Sequence, residues 1–125
     1  MTWLLIGVMG AFGALARYGV SGVVQRRWAT TFPMGTLVVN LTGAFAAGLL
    51  LGIATGRSVP DLVLIAGGVG FLGGYTTFST WMVETVLAAE SGGPSGTRRA
   101  VENLAVPLVA GVAAVWIGYV VGGLA

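Results

Sequence analysis

Four apolar stretches, about Trp3–Val24, Met34–Thr55, Asp61–Ala89 and Ala100–Leu124, take up most of this chain, and only short polar or glycine- and proline-bearing breaks separate them. A membrane-spanning helix needs about 20 mainly apolar residues, so each stretch is long enough to cross a bilayer. A spanning β-strand would instead alternate apolar and polar residues. The runs from Val59 to Val69 and from Ala105 to Val121 do not alternate. Charged residues make up only 8% of the chain, against about 25% in soluble domains. A chain of 125 residues has too high a surface-to-volume ratio to hide so much apolar surface from water. The sequence therefore predicts an all-α, multi-pass membrane protein forming one transmembrane domain over residues 1–125.

The breaks are Gln25–Pro33, Gly56–Pro60 and Ser91–Arg99, the first with interfacial aromatics and a helix-starting proline, the last flexible. The first apolar run lacks the positive residues that open a signal peptide, so it is read as the first span. With no cysteine and no histidine, disulfides, zinc sites, thiol nucleophiles and imidazole acid–base chemistry are excluded. No catalytic residue set emerges, and the chain is not read as an enzyme. In a four-span arrangement the first and third breaks share a side, and that side holds Arg26, Arg27, Arg98 and Arg99 against Arg57 opposite. The positive-inside rule then puts both breaks in the cytoplasm and both termini outside. The same arginines flank apolar spans and set orientation; no nucleic-acid partner is implied.

Glycine accounts for 22 residues, more than twice the usual share of roughly 7%. Small residues recur every fourth position at Gly48, Gly52 and Gly56, at Ala66, Gly70 and Gly74, and at Ala110, Ala114, Gly118 and Gly122. Each stripe is a smooth face that lets helix backbones approach closely in lipid. These faces read either as tight oligomer packing or as packing within one subunit; four short helices scarcely enclose a polar path alone, so the oligomer is favoured.

Polar groups at membrane depth are costly and therefore functional candidates. They cluster at Arg17 with Tyr18, at Asn40 with Thr36 and Thr42, and along Tyr75–Trp81. In the third place, Gly70, Gly73 and Gly74 run into Thr76, Thr77, Ser79 and Thr80. Glycine loosens a helix and hydroxyls compete for its backbone, so the third span is expected to break midway. Freed carbonyls there can hold a cation, and freed amides with hydroxyls can hold an anion. Arg17, Asn40 and the hydroxyls are mostly donors, which favours an anion. Phe78 and Trp81 lie three residues apart and can share a helix face, where ring edges carry partial positive charge. Among the carboxylates only Glu84 is moderately deep, and its plainer reading is a residue near the interface. Two other matches fail on context. Gly68–Gly73 fits a dinucleotide fingerprint and Asn40–Thr42 a glycosylation acceptor, yet both lie inside apolar spans.

Three segments then carry a family resemblance: Gly13-Ala14-Leu15-Ala16-Arg17-Tyr18, Gly35-Thr36-Leu37-Val38-Val39-Asn40-Leu41-Thr42-Gly43, and Gly70-Phe71-Leu72-Gly73-Gly74-Tyr75-Thr76-Thr77-Phe78-Ser79-Thr80. In order and spacing they resemble the CrcB/Fluc fluoride channel family. The resemblance implies four transmembrane helices per subunit with a broken third helix, assembled as an antiparallel, dual-topology dimer in the cell inner (plasma) membrane. It implies passive, fluoride-selective export along paths at the subunit interface. It implies a structural sodium ion at the dimer centre, held by the backbone carbonyls of Gly73 and Thr76. On the same grounds the anion pathway would be carried by Asn40, Phe78, Trp81, Thr77, Ser79 and Thr80, with Arg17 in a vestibule or structural role.

Two departures stand out. Trp81 occupies a position where the family usually has phenylalanine, and the fourth span offers only Asn103 and Tyr119 as clear polar groups. An antiparallel homodimer also needs both orientations, whereas the arginine bias favours one. The partner is thus left open between a second copy and an oppositely oriented paralogue. The other readings are a non-conducting partner subunit of a heterodimeric channel and a small multidrug-type exporter; the latter relies on a glutamate in the first span, which this chain lacks.

Overall fold

The structure is a computed structural model that describes residues 1–28 and 30–125. Three crossings are single helices: α1 (Thr2–Arg27), α2 (Met34–Gly56) and α5 (Gly93–Leu124). The remaining crossing is split into α3 (residues 61–75) and α4 (Ser79–Glu90). All four crossings are long and apolar enough to span a bilayer. At about 1.5 Å per residue, even the shortest covers the roughly 30 Å hydrocarbon layer.

Two boundaries differ from expectation. α1 runs on through Arg27, so Gln25, Arg26 and Arg27 are helical and not loop; Ala29, within the expected 25–33 loop, lies outside the described residues. The expected flexible loop at Ser91–Arg99 shrinks to a turn at Ser91 and Gly92, because α5 begins at Gly93. Gly92 and Gly93 have φ of 81° and 68°, a region open to glycine at little cost. Pro94 follows in the first turn of α5, where its missing N–H is not needed. The sequence suggested flexibility where the chain has a tight reversal into a helix.

A further feature escaped sequence reading. Residues Leu64–Leu72 of α3 are wound as a π-helix, a rare, wide form concentrated at functional sites. Within it Gly70 lies against α1, where an added Cβ would come within 2.7 Å of the Met9 Cβ. One turn later, a Cβ on Gly74 would collide with the Gly10 carbonyl. α1 and α3 therefore meet backbone to backbone.

The glycine stripes serve the subunit itself. Gly48 and Gly52 of α2 face the backbone of Val115, Tyr119 and Gly122, while Gly118 and Gly122 of α5 face that of Phe45, Leu49 and Ile53. α2 and α5 form the most extensive helix pair. The expectation that these stripes build an oligomer seam is thus corrected: close approach needs small residues on both helices, and each set found its match in the same chain. Gly56 alone of the α2 stripe faces open space.

Among the described residues only Val39 is a large side chain enclosed completely, and the buried polar residues are Thr36, Thr77 and Asn103. Leu15, Val109, Val112 and Trp116 face outward. Such a distribution inverts a water-soluble core and suits a lipid surround.

Candidate functional site

The break between α3 and α4 is built by competition for backbone groups. The helical ladder reaches Thr76, whose N–H and Oγ1 both donate to the Leu72 carbonyl at 3.0 Å. Thr76 then turns to extended backbone, φ −77° and ψ 158°. The next N–H, of Thr77, would continue the ladder to Gly73, but it donates to Asn40 Oδ1 at 2.8 Å. Asn40 Nδ2 in turn donates to the Thr77 carbonyl at 2.9 Å. The α2 side chain thus acts as a substitute peptide. Beyond it, Thr77 Oγ1 accepts the Thr80 N–H at 3.3 Å and donates to Thr80 Oγ1 at 3.0 Å. A hydroxyl accepting from the first turn is what opens a new helix.

Gly43 of α2 makes room for this turn; a Cβ there would strike the Thr76 methyl group and the Tyr75 ring. Tyr75 is stacked on Phe71, with centroids 5.9 Å apart, and its hydroxyl lies 2.9 Å from Thr42 Oγ1. From α1, Arg17 Nη1 donates to the Thr76 carbonyl at 3.3 Å. Arg17, Asn40, Gly73, Thr76, Thr77, Ser79 and Thr80 are therefore brought to one place. Ser79 sits at the margin, 3.4 Å from Thr77 Oγ1.

Phe78 and Trp81 complete the site on the outer face. Phe78 is 68% exposed in the subunit. The two rings meet edge to face, centroids 5.7 Å apart at 87°. Both line an open groove of about 920 Å³ between α2, the break and α5, shared with Asn40, Gly73, Thr76 and Thr77. A smaller cavity of about 350 Å³ on the other side of the break is lined by Arg17, Ser21, Thr36, Thr77 and Thr80.

Two residues of the site were missed. Glu84, read as interfacial, accepts from Thr36 Oγ1 at 2.7 Å, while its Oε2 is buried without a described partner. It lines a cavity of about 560 Å³ with Gln25, Phe32, Ser91, Arg99 and Asn103. Asn103 Nδ2 donates to Thr85 Oγ1 at 2.8 Å, and the Asn103 carbonyl accepts the Trp81 indole N–H. A signal for Asn103 was present: Pro107 four residues on cannot donate to its carbonyl.

The carbonyls of Gly73 and Thr76 suit a hard cation. Gly73 has lost its helical donor to Asn40, and Thr76 accepts from Arg17 with a second lone pair to spare. One chain supplies two such oxygens, whereas hard cations take about six or more.

A split crossing held open by a side chain from another helix, with hydroxyls on one side and the rings of Phe78 and Trp81 on the other, defines a small helical membrane protein of the ion-conducting or transporting class. The chain belongs to the CrcB-like (Camphor Resistance) family, whose model matches residues 4–119. It is 44% identical over 116 residues to the "Fluoride-specific ion channel FluC 2" of Mycolicibacterium paratuberculosis, covering 93% of this chain and 89% of that protein. It is 42% identical over 123 residues to the protein of the same name from Moorella thermoacetica, covering 98% of each. The "Fluoride-specific ion channel FluC" of Citrifermentans bemidjiense is 42% identical over 117 residues, 93% of this chain and 92% of that one.

Proposed function

We propose that this chain is a subunit of a fluoride-selective channel that lets fluoride leave the cytoplasm passively. The observation that carries it is the break, where Asn40, Thr77, Phe78 and Trp81 line an open groove and Arg17, Thr77 and Thr80 line the cavity behind it, in a chain otherwise faced with hydrocarbon. Burying a bare anion costs many kcal/mol, and each hydrogen bond to a charged group returns roughly 1.5–3 kcal/mol. Thr77, Ser79 and Thr80 supply hydroxyls, Asn40 keeps a second amide hydrogen, and Phe78 and Trp81 supply positive ring edges. The relatives' names point the same way. A small multidrug-type exporter is disfavoured because α1 carries no carboxylate.

The groove is open on the side of Gly73, where a Cβ would meet nothing in the subunit. An antiparallel neighbour against this face doubles the carbonyls of Gly73 and Thr76, giving a sodium ion four backbone oxygens at the seam; when bound, the ion supplies positive charge between the two breaks. The cavity shared by Gln25, Phe32, Ser91 and Arg99 places the first and third connections at one end. Arg26, Arg27, Arg98 and Arg99 thus oppose Arg57. That bias favours one fixed orientation, and hence an oppositely oriented paralogue over a second copy.

Fluoride efflux from liposomes, read with a fluoride electrode, tests the function. Absence of efflux both from the chain alone and from its complex with an inverted paralogue would defeat it. The chain has no native cysteine, so single introduced cysteines at position 58 and position 95 report sidedness cleanly. Labelling from one side only supports the paralogue; equal labelling from both sides removes it.

A further inference from the structure

The fourth crossing contains an internal proline whose cost is met from another helix. Pro107 lies inside α5 and is buried. Proline has no N–H, so the carbonyl four residues earlier, that of Asn103, loses its helical donor. Asn103 is 2% exposed, so water does not fill the gap. The donor that fills it is the indole N–H of Trp81, a group that can only donate. The exchange is reciprocal. The Trp81 carbonyl accepts from Thr85 Oγ1 at 2.9 Å and faces Asn103 Nδ2 at 3.5 Å. The indole so held stands edge to face with Phe78.

We propose that Pro107 is a positioning residue for Trp81: by leaving the Asn103 carbonyl open, it fixes the indole in the groove and withholds the indole N–H from the passing anion. This rests on the channel reading above. An unengaged indole N–H would be a strong donor to an anion, and conduction requires sites weak enough to leave. With the N–H occupied, Trp81 offers the groove only ring carbon and its edges. Its departure from phenylalanine in size is thereby not a departure in hydrogen bonding.

The experiment uses Pro107→Ala, Trp81→Phe and the double variant. Alanine suits a helix interior better than proline, and its N–H competes for the Asn103 carbonyl. In the ¹⁵N-tryptophan-labelled protein in micelles, the Trp81 indole resonance is the one missing from Trp81→Phe. Pro107→Ala is expected to shift that resonance and speed its exchange with deuterium. It is also expected to lower fluoride efflux about fivefold, the equivalent of one hydrogen bond, with that step vanishing in the Trp81→Phe background. An unmoved indole resonance overturns the proposal. So does a shifted resonance with unchanged efflux, or an equal fall in both backgrounds, which would mean that Pro107 merely shapes α5. If the parent channel passes no fluoride, the channel reading fails, while the indole resonance still decides whether Pro107 positions Trp81.

Discussion

Asn40 pairs with the backbone of Thr77 as one peptide pairs with another, giving an amide hydrogen at 2.9 Å and taking one at 2.8 Å. Asn40→Asp keeps the acceptor and turns the donor into an oxygen facing the Thr77 carbonyl. Two oxygens at that distance repel, and the carboxylate adds negative charge beside the proposed anion route. Efflux is expected to be lost at neutral pH. The unfolding midpoint in detergent should fall by the equivalent of about 1–3 kcal/mol, the cost of one buried unpaired group. Unchanged efflux would remove Asn40 from the pathway.

Phe78 is largely exposed in the subunit, so Phe78→Ile should leave the fold within about 0.5 kcal/mol, as for surface changes generally. The ring edge disappears with it. Efflux should fall by up to about tenfold, since aromatic geometry is worth about 0.5–1.5 kcal/mol; unchanged efflux would remove Phe78 from the pathway.

Gly73 and Gly74 are adjacent but should respond differently. Gly73 faces open space in the subunit, so Gly73→Val should leave the monomer folded and shift the protein to monomer on size-exclusion chromatography. A dimer of normal stability would show that this face is not the seam.

Gly74 packs directly on the Gly10 backbone, and a Cβ there would collide with the Gly10 carbonyl. Gly74→Ala should therefore destabilise the subunit by about 1–3 kcal/mol through overpacking. Gly7, which meets nothing, is the control: Gly7→Ala should not move the unfolding midpoint.

Sodium held by Gly73 and Thr76 would stabilise the assembled form only. Preparation in sodium-free buffer throughout should lower the thermal midpoint of the dimer, with recovery that rises logarithmically with added sodium. A midpoint indifferent to sodium would remove the ion from the seam.

The crossings and the break were legible in the sequence because both depend on local chemistry. Apolar length defines a span, and Gly73-Gly74 before Thr76-Thr77 weakens a helix whatever surrounds it. The partners of the break were legible as polar residues but not as pairs. Asn40 was recognisable as a costly amide; its engagement by Thr77 depends on how α2 crosses the third span, a tertiary fact. The π-wound stretch Leu64–Leu72 has no periodic signature that separates it from an apolar α-helix. Glu84 was passed over because depth along a span says little about which face a side chain takes. The stripes at Gly48 and Gly118 showed that backbones would touch, without saying whose.

Because Val39 is the one large side chain shut away on all sides among the described residues, this subunit has little oily interior to expose when its helices come apart in lipid. The heat capacity of unfolding tracks apolar area newly wetted. Calorimetry in bilayers or micelles should therefore give an increment well below that of a water-soluble protein of equal length, and its stability curve should be correspondingly flat, with no cold-induced loss of structure above freezing.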